Sequence, residues 1–170
     1  DNSLVRVNFG TDITNASPTT VSTGAITNAF LPIGIDLIKK GNNWIAHLVS
    51  YGNNKLIQLN FGTDILSSPI LEATYALSGL NPPSNNRILL AGDTYYSAIG
   101  HDSGGVQAID FQDMNPSSTP VNLNLAGLPV AIGFDVIRTN GKEIFYSVAA
   151  SGSTLTQVVF EATCGASINY

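Results

Sequence analysis

The sequence predicts an all-β fold made of consecutive four-stranded antiparallel units, and three observations predict it. A motif repeats: Asn8-Phe9-Gly10-Thr11-Asp12-Ile13 returns as Asn60-Phe61-Gly62-Thr63-Asp64-Ile65. The runs before these motifs are rich in Val, Ile, Thr and aromatic residues, and their apolar period is near 2, as in strands, not 3.6 as in helices. Turns that contain Gly separate the runs, which is a hairpin signal.

Each unit reads as four strands, A to D. The C strand is the run that leads into the Phe motif: Leu4-Val5-Arg6-Val7, Leu56-Ile57-Gln58-Leu59, Val106-Gln107-Ala108-Ile109 and Leu155-Thr156-Gln157-Val158. The A strand carries a second landmark, Gly34-Ile35-Asp36-Leu37-Ile38, matched by Gly133-Phe134-Asp135-Val136-Ile137. In the middle unit Arg87-Ile88-Leu89-Leu90 holds the equivalent place without the Gly and the Asp. A turn and an aromatic then open strand B: Gly41-Asn42-Asn43-Trp44, Gly92-Asp93-Thr94-Tyr95 and Gly141-Lys142-Glu143-Ile144-Phe145.

In chain order, a partial unit over 1–23 supplies a C strand at 3–9 and a D strand at 18–23. The unit over 33–75 gives A 33–39, B 44–50, C 55–61 and D 69–75. The unit over 87–124 gives A 87–91, B 95–100, C 105–111 and D 119–124, with 78–84 read as the crossover before it. The last, 132–160, gives A 132–138, B 144–150 and C 154–160, and 161–170 reads as an exit segment toward a following module. Four-stranded units at a period of about 50 residues are the signature of β-propeller blades. A β-sandwich would lack the self-similarity, and a β-solenoid would use a shorter period. Closed propellers use roughly four to eight blades, so residues 1–160 read as part of one. The expected partners are further blades of the same parent chain or of other protomers.

Composition narrows the function classes. The formal net charge is −5, with only 7 Lys and Arg in 170 residues. That excludes the basic footprint of a nucleic-acid binder and gives no attraction to an anionic membrane. Charged residues make up 11%, so Asn, Ser, Thr and Gly supply the polarity, which suits tight turns and an extracellular surface. Cys164 is the single cysteine, so no intrachain disulfide or cysteine metal cluster forms. No run of 18 apolar residues is present to span a membrane as a helix. The chain opens Asp1-Asn2-Ser3, without Met or a signal peptide, and reads as a mature or excised piece.

Candidate residues follow from the strand assignment. Phe9, Phe61, Phe111 and Phe160 occupy equivalent C-strand positions and are expected to pack between blades, while Trp44, Tyr95 and Phe145 are expected in the core. Asp36 and Asp135 lie on strand A. Burying a carboxylate without a partner is costly, so they bond to the backbone of a neighbouring strand, line a polar channel or hold a cation. No Asp-x-Asp-x-Asp-Gly run supports a calcium site, and no metal or cofactor is assigned. His47 is mid-strand and structural. His101-Asp102-Ser103 forms a turn before Gly104-Gly105, but adjacent turn residues do not converge as a hydrolytic triad must. No phosphate loop, zinc-protease pair or nucleophile elbow occurs, so no catalytic residue is assigned. Asn15-Ala16-Ser17 fits a glycosylation sequon. The B–C turns and D–A crossovers should emerge at one end of the blades, and loops on a rigid scaffold carry function. The ligand-binding candidates there are Tyr51, Asn53, His101 and Asp102.

Residues 4–18, 34–44 and 51–61 resemble propeller-like repeats in very large secreted proteins of Bacteroidota, including gliding-motility surface adhesins and other cargo of the type 9 secretion system. Phe160-Glu161-Ala162-Thr163-Cys164 is similar to the exit of such repeats toward Ig-like modules. The later units depart from the pattern, since Phe111 lacks the following Gly. The resemblance implies a non-enzymatic adhesion role at the bacterial cell surface and identifies no ligand; a surface glycan or protein is the expected kind of partner. Two other readings stand beside it: a propeller enzyme acting on a glycan or peptide, and a passive spacer. Clustered exposed aromatics on one face would favour a binding site over a spacer.

Overall fold

The computed structural model describes residues 2–11, 14, 16–77, 82–91, 94–102, 106–112, 121–125, 131–139, 142–149 and 155–161. Asn15 of the sequon, Ser103 with Gly104 and Gly105, and the exit segment from 162 with Cys164 lie outside the described residues, as do the side chains of Phe145 and Phe160.

The described chain is all-β and antiparallel, with no α-helix. Its thirteen strands fall on the expected segments: β1 Ser3–Asn8, β2 Thr19–Ala25, β3 Pro32–Lys40, β4 Asn43–Ser50, β5 Lys55–Gly62, β6 Ile70–Ala76, β7 Pro83–Ala91, β8 Thr94–His101, β9 Val106–Gln112, β10 Val121–Leu125, β11 Ala131–Thr139, β12 Lys142–Ala149 and β13 Leu155–Glu161. They form four sheets in sequence order: β1-β2, β3-β4-β5-β6, β7-β8-β9-β10 and β11-β12-β13. Within each sheet every strand pairs with its chain neighbour, the order of a meander.

The repeated motif has a local cause. The side-chain oxygens of Asn8, Asn60 and Asp110 accept the N–H two residues on, from Gly10, Gly62 and Gln112, at 2.8, 2.6 and 2.7 Å. The receiving residues take φ of 72°, 69° and 52°. Each is an Asx turn, which ends the strand and turns the chain into the left-handed region, where Gly fits without strain. So Asn-Phe-Gly is turn chemistry at the end of the C strand, and the middle unit keeps the turn with Asp and Gln.

The first strand of each larger sheet opens on a bulge, between Pro32 and Gly34, Pro83 and Asn85, and Ala131 and Gly133. Pro at a strand start costs no ladder bond. Counted from these bulges, Asp36, Arg87 and Asp135 share one position. Strand β7 also starts earlier than the expected residue 87. Asn86, just before the expected strand, is buried in β7 and its Nδ2 donates to the His47 carbonyl at 3.0 Å. That tertiary bond overrides the weak strand propensity of Asn.

The sheets stack. β3 and β4 pack on β7, and β11 packs on β7 and β8. The sheet β3–β6 is covered on both faces, so β4 and β5 show nearly unbroken burial rather than alternation. One face joins Leu48, Ile57, Leu59 and Phe61 to Ile26 and Leu4 of the first sheet's side. The other joins Ile45, Val49 and Leu56 to Ile88, Ile99, Ile109 and Phe111. Phe61 and Phe111 are therefore core, as expected. Phe9 is a correction: it is exposed, because among the described residues no sheet covers the outer face of β1.

Candidate functional site

After Ser50 the chain makes a single 3-10 turn, Tyr51–Asn53, and Asn54 closes it at φ 54°. This turn is held by the crossover before the sheet and by the residue that leaves it. Tyr51 N–H donates to the Leu31 carbonyl at 3.1 Å and Gly52 N–H to the Phe30 carbonyl at 2.9 Å. Ser50 Oγ accepts from Phe30 N–H at 2.7 Å and donates to the Phe30 carbonyl at 2.9 Å. Asn53 Nδ2 donates to the Asn28 carbonyl at 2.7 Å. On the other side Asn54 Nδ2 donates to the Leu77 carbonyl, and Leu77 N–H to the Asn54 carbonyl at 3.0 Å. In the next sheet Asp102 N–H reaches the Pro82 carbonyl at 3.2 Å. The B–C turns and the crossovers thus meet at one end.

That end presents a side-chain cluster. Phe30 and Leu31 are each 53% exposed, Tyr51 is 36% exposed, and Ile33 follows on β3, also exposed. The Phe30 ring lies against Gly52 so closely that a Cβ at 52 would collide with it. Leu31 takes φ 51° and Asn28 φ 67°. A bulky residue in the left-handed region is an outlier, costing about 1–3 kcal/mol, and such strain concentrates at ligand clamps and active sites.

Two of the four sequence candidates, Tyr51 and Asn53, sit in this exposed turn. Asp102 is exposed in the turn that follows β8. His101 is a correction. It ends β8, pairs with Pro83 in register, has no exposed surface, and its Nε2 lies 3.2 Å from Gln107 Oε1. A ring buried at a strand end offers no face for stacking on a surface ligand. Phe30 and Leu31 lie between the expected strands, and the strand pattern alone does not single them out. The signal was present, since two adjacent large apolar residues stand in a polar segment just before Pro32.

The buried polar groups form a separate, internal arrangement. Glu72 accepts from Gln58 Nε2 at 2.9 Å and from Asn60 Nδ2 at 2.7 Å. This aims Gln58 Oε1 at His47 Nε2, 3.2 Å away, so the neutral ring carries its proton on Nε2. Burial lowers the His47 pKa to about 4, partly offset by the Gln58 bond. The ring packs on Phe111 with centroids 4.6 Å apart. Tyr75 also donates to Gln58 Oε1, at 3.4 Å, and burial with the nearby Glu72 charge raises its pKa to about 12. His47 is thus structural, as expected.

The strand-A carboxylates join sheets. Asp36 Oδ2 accepts Ile88 N–H of β7 at 2.7 Å and Oδ1 accepts Leu37 N–H at 3.0 Å, the expected backbone role. Asp135 of β11 takes Arg87 Nε of β7 at 3.0 Å. Among the described residues no three His, Cys, Asp or Glu side chains gather as a metal site requires, and no helix is long and apolar enough to cross a membrane. A scan of protein-family models and a search of curated proteins both find no match to this chain.

Proposed function

We propose that this chain is a non-enzymatic binding segment of a secreted bacterial surface protein, its stacked sheets being consecutive blades of a β-propeller. The blade reading draws support from the meander order of each sheet and from first strands that lie along one another, β3 by β7 and β7 by β11. The surface location draws on the resemblance of residues 4–18, 34–44 and 51–61 and on the low charge.

One observation carries the binding role: the exposed patch of Phe30, Leu31 and Tyr51, fixed by turn hydrogen bonds and strained at Leu31. A passive spacer has no need of clustered exposed aromatics at a strained turn. Two exposed rings in and against the turn that carries the Asn53 amide suit a sugar face, which stacks on aromatic carbon and hydrogen-bonds to amides. The patch therefore takes a surface glycan. The test is retention on an immobilised panel of bacterial and host glycans. Wild-type chain should bind a subset, and the Phe30→Ala/Tyr51→Ala double variant should lose it with an unchanged melting temperature. A panel that retains neither protein, or both equally, overturns the reading.

A further inference from the structure

We infer that Leu31 selects the sugar: the patch takes an uncharged pyranose that carries a methyl group, and the methyl rests on the Leu31 side chain. The inference rests on the glycan reading above and names the class of sugar.

The observation behind it is a costly conformation. Leu31 sits at φ 51° and Asn28 at φ 67°. Asn enters the left-handed region readily, whereas Leu meets a steric cost there that Gly would avoid. Packing does not explain the choice of Leu, because the residue is 53% exposed. Nor does the backbone, whose bonds a Gly would make equally well: Leu31 N–H donates to Asn2 Oδ1 at 3.4 Å, and the Leu31 carbonyl accepts Tyr51 N–H at 3.1 Å. What Leu adds over Gly is an aliphatic surface in solvent, next in sequence to the Phe30 ring.

Stacking of the sheets does not cover this position. At the next junction, between two four-stranded sheets, Pro82 holds the same place, its carbonyl accepting Asp102 N–H at 3.2 Å, and it too is partly exposed.

The Phe30 ring lies against Gly52, which leaves its other face for a ligand. A pyranose stacked there comes within reach of the next side chain, since consecutive Cα atoms are about 3.8 Å apart. A hydroxyl set down on Leu31 would lose its water and gain no partner, whereas a methyl gains by burial. Charge is sparse at this end. Among the described crossover and B–C turn residues Asp102 alone is charged, and Lys55 follows as the first residue of β5. That is no cradle for a carboxylate or sulfate, so the sugar is neutral. Its methyl belongs either to a 6-deoxyhexose or to the acetamido group of an N-acetylhexosamine.

The experiment is retention of the 170-residue chain on immobilised sugars in matched pairs, 6-deoxygalactose against galactose and N-acetylglucosamine against glucose. In one pair the methyl-bearing member should bind more tightly by about four- to tenfold, and that pair identifies the source of the methyl. Retention should change little between low and high salt. Leu31→Gly should abolish the difference within the pair, yet melt close to the wild-type temperature or above it, because it relieves φ 51°. Leu31→Asn, which also tolerates that conformation, replaces it if the Gly variant does not fold. Retention on neither pair overturns the binding reading and this inference with it. Equal retention within both pairs, a preference that survives Leu31→Gly, or binding that salt abolishes overturns this inference alone.

Discussion

Asp36 on β3 holds the N–H of Ile88 on β7 at 2.7 Å, so a carboxylate of one sheet takes a backbone donor of the next. At the same position in the following strand stands Arg87, which in turn reaches Asp135 of β11. A single register position therefore links three sheets, but by two chemistries of unequal strength.

Removing the Asp36 carboxylate should cost more than removing that of Asp135. The Asp36 bond is charge-assisted and part-buried, and its loss takes an acceptor from a buried strand. Asp36→Ala should lower unfolding free energy by roughly 1–3 kcal/mol. Asp135 is 73% exposed at its side chain, so Asp135→Ala should cost under about 1 kcal/mol, less still in high salt. Urea titrations of the two variants at low and high salt check the order, and equal losses would refute it.

Gly34 marks a close approach of the same two sheets. A Cβ there would lie 2.8 Å from Val49 Cγ2, 3.1 Å from Asn86 Oδ1 and 3.2 Å from the Asn85 Cα. The last is backbone, and it cannot swing aside. Gly34→Ala should therefore destabilise by about 1–3 kcal/mol as overpacking does. Thermal unfolding measures it, and an unchanged or raised midpoint would show that the sheets separate freely.

The Asx turns predict opposite signs at equivalent residues. Gly62→Ala places a Cβ at φ 69° and should destabilise by about 1 kcal/mol. Gln112→Gly relieves a side chain already held at φ 52°. The gain is partly offset by the freedom Gly adds to the unfolded chain, so stabilisation of at most about 1 kcal/mol is expected. Denaturant midpoints of both variants decide it, and a destabilising Gln112→Gly would refute the strain.

The strands were legible because the sequence punctuates them with turn residues whose mechanism is local: Asn-Phe-Gly, Gly-Asn-Asn, and Pro at two of the three bulges. What depends on distant partners was not legible. Asn86 looked like loop until its amide met the His47 carbonyl. His101 looked exposed because its Gly-rich neighbours suggested a turn, whereas pairing with Pro83 draws it into β8. Phe9 looked like Phe61, and the motif is indeed the same. The difference lies in which sheet stands opposite, something no local pattern encodes. Of the candidate site, Tyr51 and Asn53 could be read from their turn, while Phe30 and Leu31 needed the hydrogen bonds that fold the crossover onto it.

Acid should weaken the fold through His47. Its pKa falls from 6.5 in the unfolded chain to about 4 in the fold, because burial disfavours the imidazolium. Between those values the unfolded chain binds more protons, so stability rises with pH through this window. The contribution is fully present above pH 6.5 and is lost as pH falls toward 4, amounting to roughly 3 kcal/mol in total. Protonation would also put a second N–H on Nδ1, which has no hydrogen-bond partner in its buried position. Carboxylates titrate in the same range, so the wild type must be compared with His47→Gln, which keeps an amide beside Gln58 but cannot ionise. Urea unfolding at pH 7.5 and 4.5 should show a larger loss in wild type than in the variant, by most of that amount. Equal losses would mean that His47 finds water or a carboxylate when protonated, and that the Glu72–Gln58 arrangement does not hold the ring neutral.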